Sequence, residues 1–443
     1  MAKTFRPYEP DQIYLFPPSP RDWLGDDHLI FFLSDLVDTL DLSAIYETYT
    51  EERGYPPYHP LLMVKILLYG YARGIYSSRK LARACQEDVA FRVLCAGNDP
   101  DFRTISDFRK RHLNALSDLF LQVLRLCQKA GMVKLGHVAI DGTKVKANAS
   151  KHKAMSYARM QEEEKRLKKE IAKLMRESEI TDRSEDRCYG ADKRGDELPD
   201  ELAHRESRLK KIQEAKAALE AEAKAAAAAA GAEESEVEAV EPAPKAQRNF
   251  TDPESRIMLS SDKSFVQAYN AQAAVDHGSQ VIVAADVVQA SNDKRALVPM
   301  VEQVCENVRA IPEICSADAG YWTEAGLERL DDYGIDAIVA PEKIRHRQWR
   351  EEELVTGPPP EGLSRKERMR HLLKTEQGRA EYAKRMCTVE PVFGQVKHAR
   401  GFRQFLLRGH QKVNSEWKLV CTGHNLLKLF AFTRLMALKT CSA

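Results

Sequence analysis

The chain has 443 residues, and its 67 lysines and arginines are balanced by 66 aspartates and glutamates, so that the formal charge is +1 at pH 7. A nearly neutral chain has no overall attraction for nucleic acid, membranes or acidic substrates. The nine cysteines show no metal-ligand spacing, which argues against both a zinc finger and a disulfide scaffold. No apolar stretch is long enough for a membrane span, and the amino end has no secretory signal, so we expect a cytoplasmic protein.

The charges are unevenly distributed along the chain. Residues 1–52 form an acidic amino-terminal segment with a net charge of −8, whereas residues 53–135 carry +8 and residues 365–443 carry +12. Two basic blocks on a neutral chain are typical of a protein surface that follows the phosphates of a nucleic acid. Solvated helix faces with acidic neighbours folded against them would produce the same count.

Residues 53–135 are predicted to form a helical, basic DNA-binding domain. Apolar residues spaced three and four apart begin at Pro60, Gly74 interrupts them, and Ser77 or Ser78 can cap a second helix. This pattern is similar to a helix-turn-helix, in which the second helix lies against DNA. The basic residues on the leading turn of that helix are Arg79, Lys80 and Arg83.

A second basic helix is predicted to begin at Ser106, which would act as its amino-terminal cap. Arg109, Lys110 and Arg111 would then lie just inside the helix and provide further contacts to DNA. For both helices the alternative is a small helical bundle whose arginines face the solvent.

The segment from 151 to 249 differs in character from the chain on either side. It contains two long stretches rich in Glu, Lys and Ala, with apolar residues three or four apart, which are typical of an antiparallel coiled-coil hairpin. Residues 231–249 follow as an extended or disordered linker. We interpret 151–249 as an insertion into one domain formed by residues 136–150 and 250–443, since strand-like sequence ends before it and resumes after it.

This divided domain is predicted to have an α/β fold. A strand precedes the insertion at 137–145, and after it come a hairpin around His277, a helix, a strand, a helix, a further strand and a final helical region. A hairpin joined to alternating strands and helices indicates a mixed sheet with helices on its faces.

Three acidic residues occupy unusual positions in this domain. Asp141 and Asp318 each follow an apolar run and precede Gly or a small residue, and Glu390 lies in a late helical segment. A carboxylate in such a place is costly unless it is paired or binds a metal ion, although any one of them alone could be a turn residue or a solvated side chain. Enzymes that cleave nucleic acids with two divalent cations use carboxylates as ligands. No P-loop, zinc-protease or dinucleotide-binding motif supports a competing chemistry.

Three groups of residues in this domain form one pattern. They are AIDGTKVKANAS at 139–150, SADAGYW at 316–322, and the spaced set Tyr382, Arg385, Glu390 and Lys397. In this order they resemble the DDE transposases of bacterial insertion sequences. The resemblance implies an RNase H-like catalytic domain in which Asp141, Asp318 and Glu390 bind two Mg²⁺ or Mn²⁺ ions. It also implies that Tyr382, Arg385 and Lys397 contact DNA phosphates near the cleaved end.

The chain departs from the family signature near Glu390. Four residues, rather than the three of the best-known signature, separate Arg385 from Glu390, and Pro391 follows the Glu directly. Because a proline disfavours helical backbone in the residue before it, we expect Glu390 at the start or at a kink of a helix. Lys397 lies four residues after Phe393 on one helix face, from which it could reach a phosphate.

Further basic and aromatic residues are candidates for DNA contacts. Lys144 follows Asp141 on the same strand and could neutralise a phosphate, unless it only borders a solvated strand edge. Trp322 could stack on an unpaired base, although a tryptophan beside a sheet more often belongs to the core. Arg400 and Arg403 would form a phosphate track on the carboxyl side.

The resemblance implies a transposase that cleaves DNA at the ends of its element with metal ions and joins the freed 3′ hydroxyl to target DNA. Its partners would be double-stranded terminal inverted repeats and target DNA. Because two ends must be cut together, we expect a homodimer, and we expect it to be associated with the nucleoid. Two alternatives stay open: a structure-selective nuclease or resolvase of the same fold without strand transfer, and a non-enzymatic DNA-binding protein whose carboxylates are structural.

Overall fold

The amino-terminal part of the chain is built from helices. The computed structural model describes residues 19–49, 57–150, 153–189, 200–229, 231–232, 234–260, 263–343 and 354–441. The helices before the first strand are α1 (Leu29–Asp38), α2 (Ser43–Tyr46), α3 (Pro60–Arg73), α4 (Ser78–Glu87), α5 (Val89–Cys95), α6 (Phe102–Arg111) and α7 (Leu113–Lys129). They cover the region for which the sequence predicts helices.

Helices α3 and α4 lie where the sequence pattern suggests a helix-turn-helix. At the start of α3 the His59 ring accepts a hydrogen bond from the backbone N–H of Leu61, and Pro60 occupies the first turn, where no helical bond is lost. At its end Gly74 has a φ of +81°, and a Cβ at this position would lie 2.6 Å from the carbonyl oxygen of Arg400. The turn between the two helices therefore requires glycine and packs against the carboxyl-terminal part of the chain.

Helix α6 begins earlier than the prediction of a Ser106 cap requires. Asp101 is the actual cap, since its carboxylate accepts hydrogen bonds from the backbone N–H groups of Arg103 and Thr104. Ser106 is an interior residue, and the prediction is wrong because the stronger cap lies upstream of it. The basic residues at 109–111 consequently lie in the last turn of the helix rather than near its start.

The second part of the chain contains a mixed sheet, which confirms the predicted α/β class. Its strands are β1 (His137–Lys146), β4 (Arg256–Leu259), β5 (Phe265–Asp276), β6 (Ile282–Val288), β7 (Ile314–Ala317) and β8 (Asp336–Val339), while β2 (Ala154–Ser156) and β3 (Gln247–Asn249) form a separate ribbon. Strand β5 pairs antiparallel with β1 on one side and with β4 and β6 on the other. Strands β1, β7 and β8 run parallel to one another.

Helices flank this sheet. They are α11 (Leu297–Val308), which contacts β5 and β6; α12 (Glu324–Asp332), which contacts β8; and α14 (Glu376–Gly394), which contacts β1, β5, β7 and β8. Helix α13 (Arg365–Lys374) packs on α14, and the long helix α15 (His410–Cys441) ends the described chain. The chain thus returns to the sheet after the insertion, in the order predicted.

The insertion contains the two long helices α8 (Tyr157–Tyr189) and α9 (Asp200–Ala229), which contact each other. A small separate core at their base includes Met160, Leu167 and Ile212. The predicted linker at 231–249 is not uniformly extended or disordered, because it includes α10 (Glu234–Ala239) and β3. Strand β3 is ordered by its antiparallel pairing with β2, a long-range partner that local composition does not reveal.

Helix α15 joins the two parts of the chain. It contacts α3 and α7 among the amino-terminal helices and β6 of the sheet. Trp417 is buried, and its indole N–H donates a hydrogen bond to the backbone carbonyl of Gln272 at 2.8 Å. One continuous core of buried apolar residues runs from the amino-terminal helices into the sheet.

A buried carboxyl group, that of Glu416, lies at this junction. The Glu416 carboxylate accepts hydrogen bonds from the backbone N–H groups of Leu406 and Leu407, each at 3.0 Å. Burial raises the pKa of Glu416 to about 7, although those N–H groups and the charge of Arg109 favour the ionised form. Arg109 is itself only 5% exposed and donates a hydrogen bond to the carbonyl of Tyr76 at 2.8 Å.

We expect the stability of the protein to decrease between about pH 4.5 and pH 7 because of Glu416. Its pKa is about 7 in the folded chain, against an ordinary value of 4.5, so the folded state holds the proton more tightly than the unfolded state does. This stabilising effect is complete below pH 4.5 and is lost as the pH rises through 7, at a cost of about 3 kcal/mol. Glu416→Gln should remove the effect, measured as the free energy of unfolding in urea at pH 5 and at pH 8.

The exposed Glu328 provides the control for this measurement, and Glu328→Gln should keep the pH dependence of the wild-type protein. If the Glu416→Gln protein lost stability between pH 5 and pH 8 as steeply as the wild type, the buried carboxyl group would not be the cause.

Two general features of the described residues complete the fold. No helix among them combines the length and the apolar character that a membrane span requires. The cysteines whose side chains the structure describes are free thiols, and most of them are buried.

Candidate active site

Strands β1 and β7 lie side by side in the sheet, and β7 ends at Ala317 whereas β1 continues to Lys146. Along this parallel pair, His137 is the partner of Ile314, and Ala139 is the partner of Ser316. Continuing the register by two residues sets Asp318, directly after β7, at the level of Asp141 on β1. Because adjacent strands lie about 4.8 Å apart, the two aspartates are neighbours across the sheet.

The carboxyl group of Asp141 is strongly perturbed. Its side chain is 19% exposed and accepts a hydrogen bond from the backbone N–H of Gly142 at 2.8 Å. Burial raises the pKa of Asp141 to about 7; Arg385 acts in the opposite direction, and the nearby charges of Asp318 and Asp293 raise the pKa further. Additional positive charge at this position would therefore favour the ionised form.

Glu390 lies on α14 and is joined to Asp141 through Arg385; it lies late in this helix, so a position at the start of a helix is wrong, whereas a kink at this point stays a prediction. Helix α14 continues through Pro391. A proline cannot donate a hydrogen bond to the carbonyl four residues before it, which here is that of Cys387. This carbonyl instead accepts a hydrogen bond from the side-chain amide of Gln280 at 2.7 Å, so the helix continues without an unsatisfied group.

A single guanidinium joins two of the three carboxylates. Arg385 donates from Nη1 to Asp141 Oδ2 at 3.1 Å and from Nη2 to Glu390 Oε1 at 3.2 Å. Burial opposes the charge of Arg385, but the facing acidic groups together raise its pKa. The arginine is thus the internal counter-ion of Asp141 and Glu390, and its two terminal nitrogens are both engaged.

A cavity of about 530 Å³ opens beside these groups. It is lined by Asp318, Arg385 and Tyr382, with Glu342 and Lys343 at its border. Tyr382 is largely buried, and the Arg385 guanidinium lies 5.8 Å from the centre of its ring. The cavity has the size of a small-ligand site and is bordered by both a carboxylate and a guanidinium.

A fourth acidic residue, which the sequence did not single out, lies at this edge. Asp293 Oδ1 accepts hydrogen bonds from the side-chain amides of Asn270 and Gln272. The residue stands in Ser-Asn-Asp, a sequence typical of a turn before a helix, and was therefore overlooked. A signal was present, because β6 runs parallel to β1 in the sheet and its carboxyl end brings Asp293 to the edge that carries Asp141.

The carboxylates have the chemistry of a divalent-cation site but do not form an open triad. Among the residues that the structure describes, no three His, Cys, Asp or Glu side chains are grouped so that they could hold a metal ion. Arg385 lies between Asp141 and Glu390 and is paired with both. Carboxylate oxygens are the ligands that Mg²⁺ and Mn²⁺ prefer, and the raised pKa of Asp141 marks a place where positive charge is favourable. The donor set therefore fits such cations if the arginine moves.

Lys397 is held against β1. Its ammonium donates hydrogen bonds to Thr143 Oγ1 at 2.8 Å and to the backbone carbonyl of Lys144 at 3.0 Å. It belongs to a π-helical segment, Gln395–Ala399, that follows α14, so it does not continue the regular face of Phe393. Lys397 thus contacts β1 two and three residues beyond Asp141.

The other candidates near the sheet differ in their exposure. The Lys144 ammonium lies 3.6 Å from Asp293 Oδ1. Trp322 is partly buried against the main core. Arg400 donates to the ring of His424 at 3.0 Å and is also partly buried. Arg403 is exposed and so offers its charge to the solvent.

The candidates among the amino-terminal helices also divide by exposure. Arg79, Lys80 and Arg83 are exposed on α4, and Arg111 is exposed at the end of α6. The guanidinium of Arg79 lies 5.2 Å from the centre of the Phe102 ring. Arg109 is the exception: it was expected to contact DNA, but it is buried and donates hydrogen bonds to the hydroxyl of Tyr71 and the carbonyl of Tyr76.

Comparison with protein families identifies two parts of the chain. A family described as a transposase domain (DUF772) matches residues 18–111, and a family described as a transposase DDE domain matches residues 359–430. No curated protein and no solved structure matches the chain. The two family matches confirm the resemblance to DDE-type transposases of insertion sequences.

Proposed function

We propose that this chain acts as a DDE-type transposase. It would cleave DNA at the ends of its element and join the freed 3′ hydroxyl to a target strand. The observation that carries the proposal is the arrangement at the sheet edge. Asp318 lies at the level of Asp141 on the neighbouring strand, and Asp141 shares one guanidinium with Glu390. Asp318 and Arg385 line one cavity, and Arg385 links Asp141 to Glu390 beside it, which supports a common site for the three carboxylates.

The strand arrangement supports an RNase H-like catalytic domain. One strand, β5, runs antiparallel between β6 and β1, and β7 and β8 continue the sheet in parallel. Asp318 follows the end of β7 directly, and Asp141 lies beside it within β1. An RNase H-like domain with a mixed sheet and an active site at this edge is what the resemblance implies.

In the proposed mechanism Asp141, Asp318 and Glu390 would hold two Mg²⁺ or Mn²⁺ ions. Divalent cations bound there would polarise the phosphodiester and stabilise charge on the leaving oxygen. For this, Arg385 has to release Asp141 and Glu390. Its guanidinium then offers two parallel N–H donors beside the cavity, a geometry suited to the oxygens of a phosphate. Lys397, fixed on Thr143, adds positive charge on the same side of β1.

The amino-terminal helices are proposed to bind the double-stranded terminal repeats. Helix α4 presents Arg79, Lys80 and Arg83, and the stacking of Arg79 on Phe102 limits the motion of its side chain. A pre-ordered arginine loses less conformational freedom when it contacts DNA. Because both ends of an element are cut together, the proposed assembly is a homodimer that holds two ends.

Replacing both Arg79 and Arg83 by alanine should weaken binding to the terminal repeats. If each arginine neutralises one phosphate, the slope of log K against log salt concentration should become less steep by roughly 1.8. Fluorescence anisotropy with a labelled terminal duplex at several salt concentrations measures this slope. Unchanged affinity and slope would remove α4 from the DNA interface.

The alternatives to a transposase make different predictions. A nuclease or resolvase with the same site would cut DNA but would not join a 3′-hydroxyl end to a supercoiled target, whereas the proposed enzyme joins the two in one covalent product. A non-enzymatic DNA-binding protein would do neither. The test is therefore a joining assay with a pre-cleaved terminal duplex, supercoiled plasmid and Mg²⁺, in which the absence of any joined product contradicts the proposal.

A further inference from the structure

Asp293 is the centre of a buried polar network between the two aspartates. Its Oδ1 accepts hydrogen bonds from Asn270 Nδ2 at 2.5 Å and from Gln272 Nε2 at 2.7 Å, and the ammonium of Lys144 lies 3.6 Å away. One oxygen atom thus binds side chains from β1 and β5 to the segment before α11. Two amide hydrogen bonds and a nearby ammonium on the same oxygen restrict the orientation of the carboxylate.

The network supports the strand directly behind Asp141. Gly142 has no side chain, and a Cβ there would lie 2.3 Å from Gln272 Nε2 and 2.9 Å from Asp293 Oδ1. The two side chains therefore fill the space that any other residue at 142 would need. Because side chains alternate along a strand, this contact lies on the face opposite to that of Asp141. Asp293 thus packs against β1 at Gly142, the residue that follows Asp141.

The same network reaches the turn that follows Asp318. A Cβ at Gly320 would lie 2.9 Å from Asp318 Oδ1 and 3.5 Å from Asp293 Oδ2. The hydroxyl group of Tyr321 donates a hydrogen bond to Gln272 Oε1, the amide that is bound to Asp293 through its nitrogen. Asp293 is thereby linked to the turns after both aspartates.

We propose that Asp293 is a positioning residue that fixes the separation of Asp141 and Asp318 without itself taking part in the reaction. The proposal rests on the proposed function, since the separation matters for the cations that these two carboxylates would share. Groups that orient metal ligands from behind typically change metal affinity by 10–100-fold when they are removed. Loss of the Asp293 carboxylate should have an effect in this range.

The test is the binding of Mn²⁺ to the full chain, followed by the loss of the electron paramagnetic resonance signal of the free ion. Asp293→Ala should weaken Mn²⁺ binding by about tenfold or more. Tyr321→Phe, which removes only the hydroxyl at the other end of the network, should weaken it less. The double variant should lose less than the product of the two single effects, because both act through Gln272.

Asp101 provides a control, since its carboxylate also accepts two hydrogen bonds, from the backbone N–H groups of Arg103 and Thr104, but at the start of α6 and away from the sheet. Asp101→Ala should leave Mn²⁺ binding unchanged. If the wild type binds Mn²⁺ and both Asp293→Ala and Tyr321→Phe bind it equally well, the positioning role is refuted. If the wild type itself binds no Mn²⁺, or binds it as well after Asp318→Ala, the proposed cation site fails instead.

A second and independent observation concerns the base of the helical insertion. A cavity of about 550 Å³ lies between β2 and the helices α8 and α9. Its floor is apolar and includes Met155, Ile212 and Phe250. Basic side chains surround this floor, and none of the described residues that line the cavity is acidic. These basic residues are Lys153, Arg159, His204, Arg208 and Lys211.

Most of the basic side chains around this cavity are exposed. Arg208 is paired with Glu163 at 2.9 Å, whereas Lys153, Arg159 and Lys211 are exposed. The exposed positive charge is therefore concentrated at the base of the insertion.

From this charge pattern we infer that the base of the insertion binds the phosphate backbone of double-stranded DNA. This inference rests on the proposed function only in the choice of DNA as the polyanion. The occupant is assigned by charge complementarity, because a polyphosphate chain can follow cations along a continuous surface. The insertion would then hold duplex DNA at a distance from the sheet edge.

The test compares two triple variants with the same change in charge. Replacing Lys153, Arg159 and Lys211 by alanine should make the salt slope for a 40-base-pair duplex of arbitrary sequence less steep by roughly 2 to 3. The control removes three exposed lysines elsewhere on the hairpin, which are Lys165, Lys169 and Lys224. Equal slopes for the two triple variants would overturn the inference, whatever the result of the joining assay.

Discussion

Asp318→Ala is expected to reduce the cleavage of element ends by about 10³-fold or more, while the affinity for end DNA stays within a factor of two or so. Removal of one of three carboxylates withdraws several kcal/mol of the charge stabilisation that metal-assisted phosphodiester cleavage requires. The side chain lies at the level of Asp141 and borders the cavity, but it does not form part of the helices proposed to bind the repeats. The measurement is end cleavage in Mg²⁺ alongside anisotropy of the same duplex without metal.

Asp332 is the matched control, because it is an aspartate at the end of α12 with a side chain that is 69% exposed. Asp332→Ala should cleave at the wild-type rate. Full activity of the Asp318→Ala protein would show that the carboxylates are structural and would favour a DNA-binding protein without catalytic function. Loss of binding together with cleavage would instead point to a folding defect.

Arg385→Ala should destabilise the metal-free protein by about 3 kcal/mol, and a divalent cation should restore most of this loss. The arginine is 13% exposed and Asp141 is 19% exposed, so removal of the guanidinium leaves a largely buried carboxylate without its partner. A cation that binds Asp141 and Glu390 would take over the compensating charge. The free energy of unfolding in urea, with and without Mn²⁺, measures both parts of this prediction.

The control for Arg385 is an arginine whose ion pair lies at the surface. Arg365 donates to Asp331, which is 55% exposed, so Arg365→Ala should change stability by less than about 1 kcal/mol and independently of Mn²⁺. If the Arg385→Ala protein lost the same stability with and without Mn²⁺, the cation would not bind where the arginine does now. The proposed replacement of the Arg385 guanidinium by a bound cation would then have no support.

The helices and strands that depend on local sequence could be predicted, and so could the edge of the sheet at which Asp141 and Asp318 lie. The apolar runs before Asp-Gly and Asp-Ala form two parallel strands, of which β7 ends before Asp318 whereas β1 continues past Asp141 to Lys146. The register of the two strands places the aspartates side by side. The position of Asp293 at the same edge was not predicted, because an aspartate in a turn has no distinguishing sequence pattern until the direction of β6 is known.

The predictions that differ from the structure concern residues whose positions depend on contacts between distant parts of the chain. Pro391 indicated a break at Glu390, but the side chain of Gln280, more than a hundred residues earlier, satisfies the carbonyl that the proline leaves free. Arg109 has the local pattern of a surface residue, and only the packing of α15 against the amino-terminal helices makes it a buried partner of Glu416. Neither partner can be read from residues near it in the sequence.

The most direct test of the account is a crystal structure of the protein with Mn²⁺ and duplex DNA carrying the element's end, with the ions located by anomalous scattering. We predict two anomalous peaks bound by Asp141, Asp318 and Glu390, with the Arg385 guanidinium moved away from both carboxylates and onto a phosphate. Peaks at other residues, or an Arg385 that still joins Asp141 to Glu390 while DNA occupies the cavity, would contradict the proposed active site.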